Sequence, residues 1–222
     1  MNLCNCSPEM LANALQSHLK ANPAERPWRH GFAPQLNYGR HAGPPRADAR
    51  QAAVAIVLCR TDSQWQLPLT VRAESLPSHA GEVSFPGGQL ETGELSPQAA
   101  RREFIEELLS GEADSSFDLN WVGQLAPLFV FVSNTVVTPW IGILDKPPAW
   151  QPNPAEVAHV MNMPLEKLLS DPLLDTIRLQ VGDLQFTAPS ITLDGHPIWG
   201  TTAVLLSELR NRLLELSAQE IN

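Results

Sequence analysis

Apolar residues at Met10, Leu11, Leu15 and Leu19 predict a helix over residues 8–20. From Pro23 to Pro45 proline and glycine dominate, and the pattern reads as an irregular arm. Ala53-Val54-Ala55-Ile56-Val57-Leu58 is a continuous apolar run, expected of a strand buried on both faces. Trp65 to Val71 reads as its hairpin partner, with Asp62-Ser63 in the turn. Val83-Ser84-Phe85 is a short strand that stops at Pro86-Gly87-Gly88. Pro97 to Leu109 is the clearest helix, with Ser96 as N-cap and Pro97 at the first helical position. Strands are expected near Asn120–Ala126, Val136–Leu144 and Glu156–Met161, and a short helix from Pro164 to Leu169. Thr176–Val181 and Asp183–Thr187 suggest a hairpin, Asp194-Gly195 a further turn, and Thr202 to Leu216 a helix striped by Leu205, Leu209, Leu213 and Leu216. Strands and helices alternate irregularly, which favours an α/β fold with a mixed sheet flanked by helices. The expected division is residues 1–50 as N-terminal helix and arm, 51–217 as the main domain, and 218–222 as a tail.

Charge narrows the function classes. The 222 residues carry a net charge of −9, which disfavours non-specific binding to nucleic acid or to an anionic membrane surface. Of that charge, −5 falls within residues 82–112, whereas residues 1–50 are +3. The basic N-terminal stretch fits a solvated arm, or one that helps bind an anionic substrate or a second subunit. The only lysines are Lys20, Lys146 and Lys167; none follows a glycine, so a Walker A loop is excluded. The sequence has no apolar run long enough to span a membrane, and no signal peptide is expected from its N-terminal pattern. Three cysteines, Cys4, Cys6 and Cys59, are too few for a disulfide framework, so a cytoplasmic, reducing location is expected. Cys4 and Cys6 read as incidental thiols and Cys59 as a core residue.

The acidic stretch carries the candidate chemistry. Glu103, Glu106 and Glu107 fall on one helix and, at about 100° per residue, project from roughly one 100° sector. Carboxylates placed side by side repel one another; a divalent cation removes that repulsion, and an all-oxygen set suits Mg2+ or Mn2+. Arg102 stands one turn from Glu106 and can fix the carboxylate geometry. Three glutamates alone also describe a solvated acidic face. The preceding Pro86-Gly87-Gly88 lets backbone approach a ligand, and a Gly88 carbonyl can join a metal shell. Glu94 reaches back from the loop toward the helix.

These residues resemble the Nudix box, G-x5-E-x7-R-E-U-x-E-E-x-G-U with U apolar, matched at Gly88, Glu94, Arg102, Glu103, Phe104, Glu106 and Glu107. Leu109 stands where the box has glycine and Ser110 where it has an apolar residue; Gly111 is the expected helix end. Leu69-Thr70-Val71-Arg72-Ala73, Leu76, His79, Gly81-Glu82-Val83 and Phe85-Pro86-Gly87-Gly88 resemble the coenzyme A pyrophosphatase subfamily. So do Val137-Thr138-Pro139, Asn153-Pro154-Ala155-Glu156-Val157, Pro164-Leu165 and Ile198-Trp199-Gly200-Thr201-Thr202-Ala203.

The resemblance implies an α/β/α sandwich on a mixed sheet, with Mg2+ or Mn2+ as cofactor. It implies cleavage of the pyrophosphate of coenzyme A to 3′,5′-ADP and 4′-phosphopantetheine. Glu103 and Glu107 become core metal ligands, Glu106 a direct or water-mediated ligand, and Gly88 a carbonyl ligand. Glu94 and Arg102 join the catalytic set, Glu94 by bracing the loop through Arg102 or by reaching metal through water. Glu103 and Glu156 are the candidate general bases, Glu156 otherwise reading as a solvated strand end. Arg72 is the candidate phosphate contact or a structural ion pair, and Gly87 and Gly88 line the substrate. His79 reads as loop packing; His159 and His196, with no Cys or His at ligand spacing, read as structural. Trp199 reads as core or as an adenine platform. A homodimer is a family-level expectation. The alternatives are another nucleoside diphosphate derivative (ADP-ribose, a dinucleotide, a modified NTP) or an inactive Nudix-fold binding module.

Overall fold

The apolar run that stands out in the sequence becomes the spine of the molecule. The computed structural model describes residues 3–23, 45–61, 64–110, 118–170, 175–181 and 184–219. In it β1, Arg50–Thr61, lies inside a mixed sheet. Its neighbours are β2 (Gln64–Arg72), antiparallel, and β7 (Thr135–Leu144), parallel along ten residue pairs. The remaining members are β3 (Val83–Ser84), β4 (Gly87–Gln89), β5 (Asn120–Gln124), β6 (Leu128–Val130) and β8 (Val157–Pro164). β3 and β8 pair with β2, β4 with β1, and β5 and β6 with β7. A smaller sheet, β9 (Asp175–Val181), β10 (Leu184–Leu193) and β11 (His196–Ile198), completes the strands among the described residues.

Side chains alternate across a strand, and β1 uses both faces. Ala53, Ala55, Val57 and Cys59 pack with Ala99, Ala100, Phe104 and Leu108 of α2, Ser96–Leu108. Ile56 and Leu58 face a larger cluster on the opposite side. That cluster takes in α1 (Pro8–Ala21), α3 (Leu165–Leu169), α4 (Gly200–Gln219) and the β10–β11 hairpin. Helices on both faces of a mixed sheet make the expected α/β/α sandwich. The small side chains that β1 turns toward α2 let that helix sit close to the sheet.

Several details differ from the sequence reading. Ser96 is the first residue of α2 and not its cap; its Oγ accepts from the Trp140 indole at 3.0 Å, while the Leu95 N–H donates to Gln98 Oε1 at 3.0 Å. β4 was not expected, because glycines seldom signal a strand. It forms because Gly87 passes so close to the Ala53 carbonyl that no Cβ fits there. β6 and β11 are too short to show a period, and β10 runs to Leu193 instead of stopping at Thr187. β8 begins at Val157, which leaves Glu156 in the turn before it. α1 is no free arm: Leu11, Leu15 and Leu19 are buried in the core shared with α4, and only Met10 of the predicted stripe points outward. The buried His18 ring meets Glu215 of α4 at 3.2 Å. The Asp62-Ser63 turn, Asp183, Gly111 and most of the Pro/Gly-rich arm lie outside the described residues. No helix among those residues is long and apolar enough to cross a membrane.

Candidate metal centre

α2 places Glu103 and Glu107 one turn apart, facing β4. Glu107 is almost fully buried, and its Oε1 accepts from the Gly87 N–H at 3.2 Å. Burial pushes its carboxyl pKa up to about 8, against smaller opposing help from that hydrogen bond and from the nearby Arg72 charge. Glu103 is also raised, first by burial, although Arg102 works against the shift. The α-carbon of Gly88 lies directly against the Glu103 carboxylate. Glu156 arrives from the turn before β8, and one oxygen from each of Glu103, Glu107 and Glu156 falls within 4.8 Å of the others.

The segment bearing Glu156 is tied to the end of α2. The last carbonyls of a helix lack intrahelical partners. Here the Glu107 carbonyl accepts from the Asn153 N–H at 3.0 Å, and the Leu108 carbonyl from the Gln151 N–H at 2.8 Å. Ser110, left-handed at φ 52°, turns the chain out of the helix, and its Oγ donates to the Gln151 carbonyl at 2.7 Å. Ser110 thus takes the helix-ending conformation that the sequence assigned to Gly111.

Arg102 organises the outer side. Its Nε and Nη2 hold both oxygens of Glu94 at 2.9 and 3.0 Å; Nη1 donates to Glu103 Oε1 at 2.8 Å and Glu106 Oε2 at 2.9 Å. Nη2 also reaches the Gln89 carbonyl at 3.0 Å. The guanidinium, with a backbone bond from Glu91, holds the Glu94 carboxyl below its ordinary range. Glu103 and Glu107 meet Glu156, while the partly exposed Glu106 shares Arg102 Nη1 with Glu103. Arg72 closes β2 beside Glu107, and its buried Nε has no hydrogen-bond partner among the described residues.

Other candidates lie apart from this cluster. His79 pairs with Glu82 at 3.0 Å on an exposed loop. His159 and His196, expected to stand alone, meet with ring centroids 5.2 Å apart because β11 brings one to the other. Cys6 donates to the Leu3 carbonyl, and neither Cys4 nor Cys6 joins a metal-holding group among the described residues. The sequence reading gave no role to Asn153; its place between Pro152 and Pro154 was the available signal for a rigid turn.

An all-carboxylate donor set, partly withdrawn from water, fits a hard divalent cation. The NUDIX domain family model matches residues 49–181, a range that contains all three carboxylates. The chain belongs to the Nudix hydrolase family. An uncharacterized Nudix hydrolase, NudL, of Photorhabdus laumondii is 33% identical over 166 residues, covering 74% of this chain and 85% of that protein. NudL of Yersinia pestis (strain Pestoides F) is 31% identical over 169 residues, covering 75% and 81%. The crystal structure of RenU, a Nudix hydrolase from M. smegmatis, is 20% identical, with 77% of this chain and 87% of that one covered at a TM-score of 0.47. α1 and α4 lie outside the Nudix match, yet they supply much of the core on the face opposite α2.

Proposed function

We propose that this Nudix hydrolase cleaves the pyrophosphate bond of coenzyme A or an acyl-CoA, releasing 3′,5′-ADP and (acyl-)4′-phosphopantetheine, with Mg2+ or Mn2+ as cofactor. The observation that carries the reading is the Glu103–Glu107–Glu156 cluster set against Gly87-Gly88 and Arg72. The narrower choice of substrate draws support from position. Two of the stretches that carry the coenzyme A resemblance, distant in the chain, bring Arg72, Gly87 and Glu156 to that cluster.

Glu103 and Glu107 would hold the cation, with Glu106 sharing Arg102 with Glu103. When bound there, the cation would neutralise pyrophosphate charge and acidify water. Arg102 fixes the Glu103 carboxylate and keeps Glu94 braced against the loop. Arg72 directs its unpaired Nε to a phosphate oxygen, which a guanidinium binds well. Gly87 and Gly88 let the diphosphate come close to backbone. Glu103 and Glu107 each already accept a hydrogen bond from within the site. Glu156 accepts one at a single oxygen, from Asn153. Each of the three thus accepts at one oxygen and is not set apart by that; because Glu103 and Glu107 are the cation's ligands in this reading, Glu156 is assigned the proton of the attacking water as its oxygen joins phosphorus and the bridging P–O bond breaks.

The test is product analysis after incubation with Mn2+ and coenzyme A, beside ADP-ribose, a dinucleotide and a modified NTP. Release of 3′,5′-ADP from coenzyme A is expected. Turnover of another substrate without that product overturns the coenzyme A reading, and nucleotide binding without hydrolysis of any member favours a binding module.

A further inference from the structure

We infer that Asn153 is the positioning residue that aims Glu156 into the carboxylate cluster; the inference rests on the catalytic role proposed for Glu156. Asn153 makes five hydrogen bonds, one to α2 and four within the turn that carries Glu156. Its N–H donates to the Glu107 carbonyl at 3.0 Å, anchoring the segment to the helix that carries the other two carboxylates. Its own carbonyl accepts from the N–H groups of Glu156 and Val157 at 3.0 and 2.8 Å, which closes the turn. Its Oδ1 accepts from the Ala155 N–H at 3.1 Å, an Asx-turn. Its Nδ2 donates to Glu156 Oε1 at 3.1 Å.

The two functions of the side chain are separable. Oδ1 shapes the turn, whereas Nδ2 fixes the rotation of the Glu156 carboxyl and occupies one of its oxygens. The flanking prolines restrict the backbone on both sides: Pro152 and Pro154 fix their own φ, and Pro154 biases Asn153 toward extended conformations. On the far side, the Ala73 N–H donates to the Glu156 carbonyl at 2.8 Å, next to Arg72. The Glu156 backbone is thus pinned from both directions, and among the described residues its carboxyl orientation is left to a single donor. An aspartate at 153 keeps the turn acceptor and the side-chain size but removes that donor.

The experiment compares wild type, Asn153→Asp, Glu156→Gln and the double variant. Asn153→Asp is expected to lower kcat about 10–100-fold, the usual cost of losing a group that orients a metal-site residue, with the substrate KM within about twofold. Placed on Glu156→Gln, it is expected to cost nothing further in kcat. Denaturant unfolding of the metal-free proteins reads the contact independently of turnover: the two single changes should combine non-additively by about tenfold in the folding equilibrium. Full kcat in Asn153→Asp, or losses that multiply in the double variant, overturns the positioning role. Strict additivity in unfolding overturns the contact itself. If wild type hydrolyses no diphosphate, the proposed function fails, while the unfolding cycle still decides whether Asn153 holds Glu156. Asn153→Ala, which also removes the turn acceptor, separates the two functions by losing stability as well.

Discussion

The α-carbon of Gly88 rests against the carboxylate of Glu103, and the same two-glycine strand has Gly87 pressed on the Ala53 carbonyl. These neighbours differ in kind. A methyl group at 88 meets the end of a side chain, which can shift by giving up its Arg102 bond, whereas one at 87 meets backbone and the Val54 α-carbon. Gly88→Ala is therefore expected to keep its melting temperature while losing about 10–100-fold in Mn2+ affinity or kcat, because Glu103 is displaced. Gly87→Ala is expected to destabilise the fold by about 1–3 kcal/mol. Calorimetry and Mn2+ titration of both variants check the contrast; equal thermal losses would count against it.

Glu107 makes metal-free stability fall as pH rises. Its folded pKa is raised from 4.5 to about 8 by burial. Below the unfolded value its contribution is fully present. Between the two values the unfolded chain ionises while the folded carboxyl keeps its proton, so the contribution is lost progressively through about pH 8. Metal-free Glu107→Gln should lack this decline and melt higher than wild type at pH 9. Added Mn2+ should stabilise wild type more at pH 8 than at pH 5 and leave Glu107→Gln unmoved, with turnover abolished in that variant. Parallel pH–melting curves for the two metal-free proteins contradict the assignment.

Arg102 cannot be replaced by lysine without loss. Its planar fork serves Glu94 at two oxygens together with Glu103, Glu106 and the Gln89 carbonyl, and an ammonium cannot span that set. Arg102→Lys should lower kcat by about tenfold or more. Since Arg102 depresses the Glu94 pKa, that contribution is present above the ordinary carboxylate range and vanishes as pH falls through the depressed value. Acid unfolding of the variant should accordingly begin at higher pH than in wild type.

Arg72→Ala removes a cation whose Nε has no hydrogen-bond partner among the described residues. The expected result is a rise in KM of about tenfold or more for a diphosphate substrate, with Mn2+ affinity retained. Steady-state kinetics decide it, and an unchanged KM places the guanidinium outside the phosphate path.

Leu15 tests whether α1 is structural. It is fully buried among residues of α4 and the sheet. Leu15→Ala should cost about 2–5 kcal/mol in urea unfolding, a loss that a detached N-terminal arm cannot produce.

What was legible in the sequence was what short-range geometry encodes. The spacing of Glu103 and Glu107 on α2, the buried run of β1 and the stripe of α4 follow from local periodicity. The bonding of Glu106 did not, since helical angle alone does not reveal that Arg102 Nη1 bridges it to Glu103. Nor did the approach of Glu156, which depends on backbone bonds to the end of a helix more than forty residues earlier. The meeting of His159 and His196 and the pairing of Gly87–Gln89 with β1 are likewise long-range. The packing of α1 escaped because a Pro/Gly-rich stretch separates it from the domain whose core it shares.

The splice between residues 151–153 and the last turn of α2 has a dynamic consequence. The amides of Gln151 and Asn153 reach solvent only when the carbonyls of Leu108 and Glu107 release them. Fraying of the helix end and withdrawal of Glu156 are then one opening event rather than two. Hydrogen exchange at those two amides reports the integrity of a carboxylate cluster they do not belong to, and a ligand gathered by the three glutamates slows it.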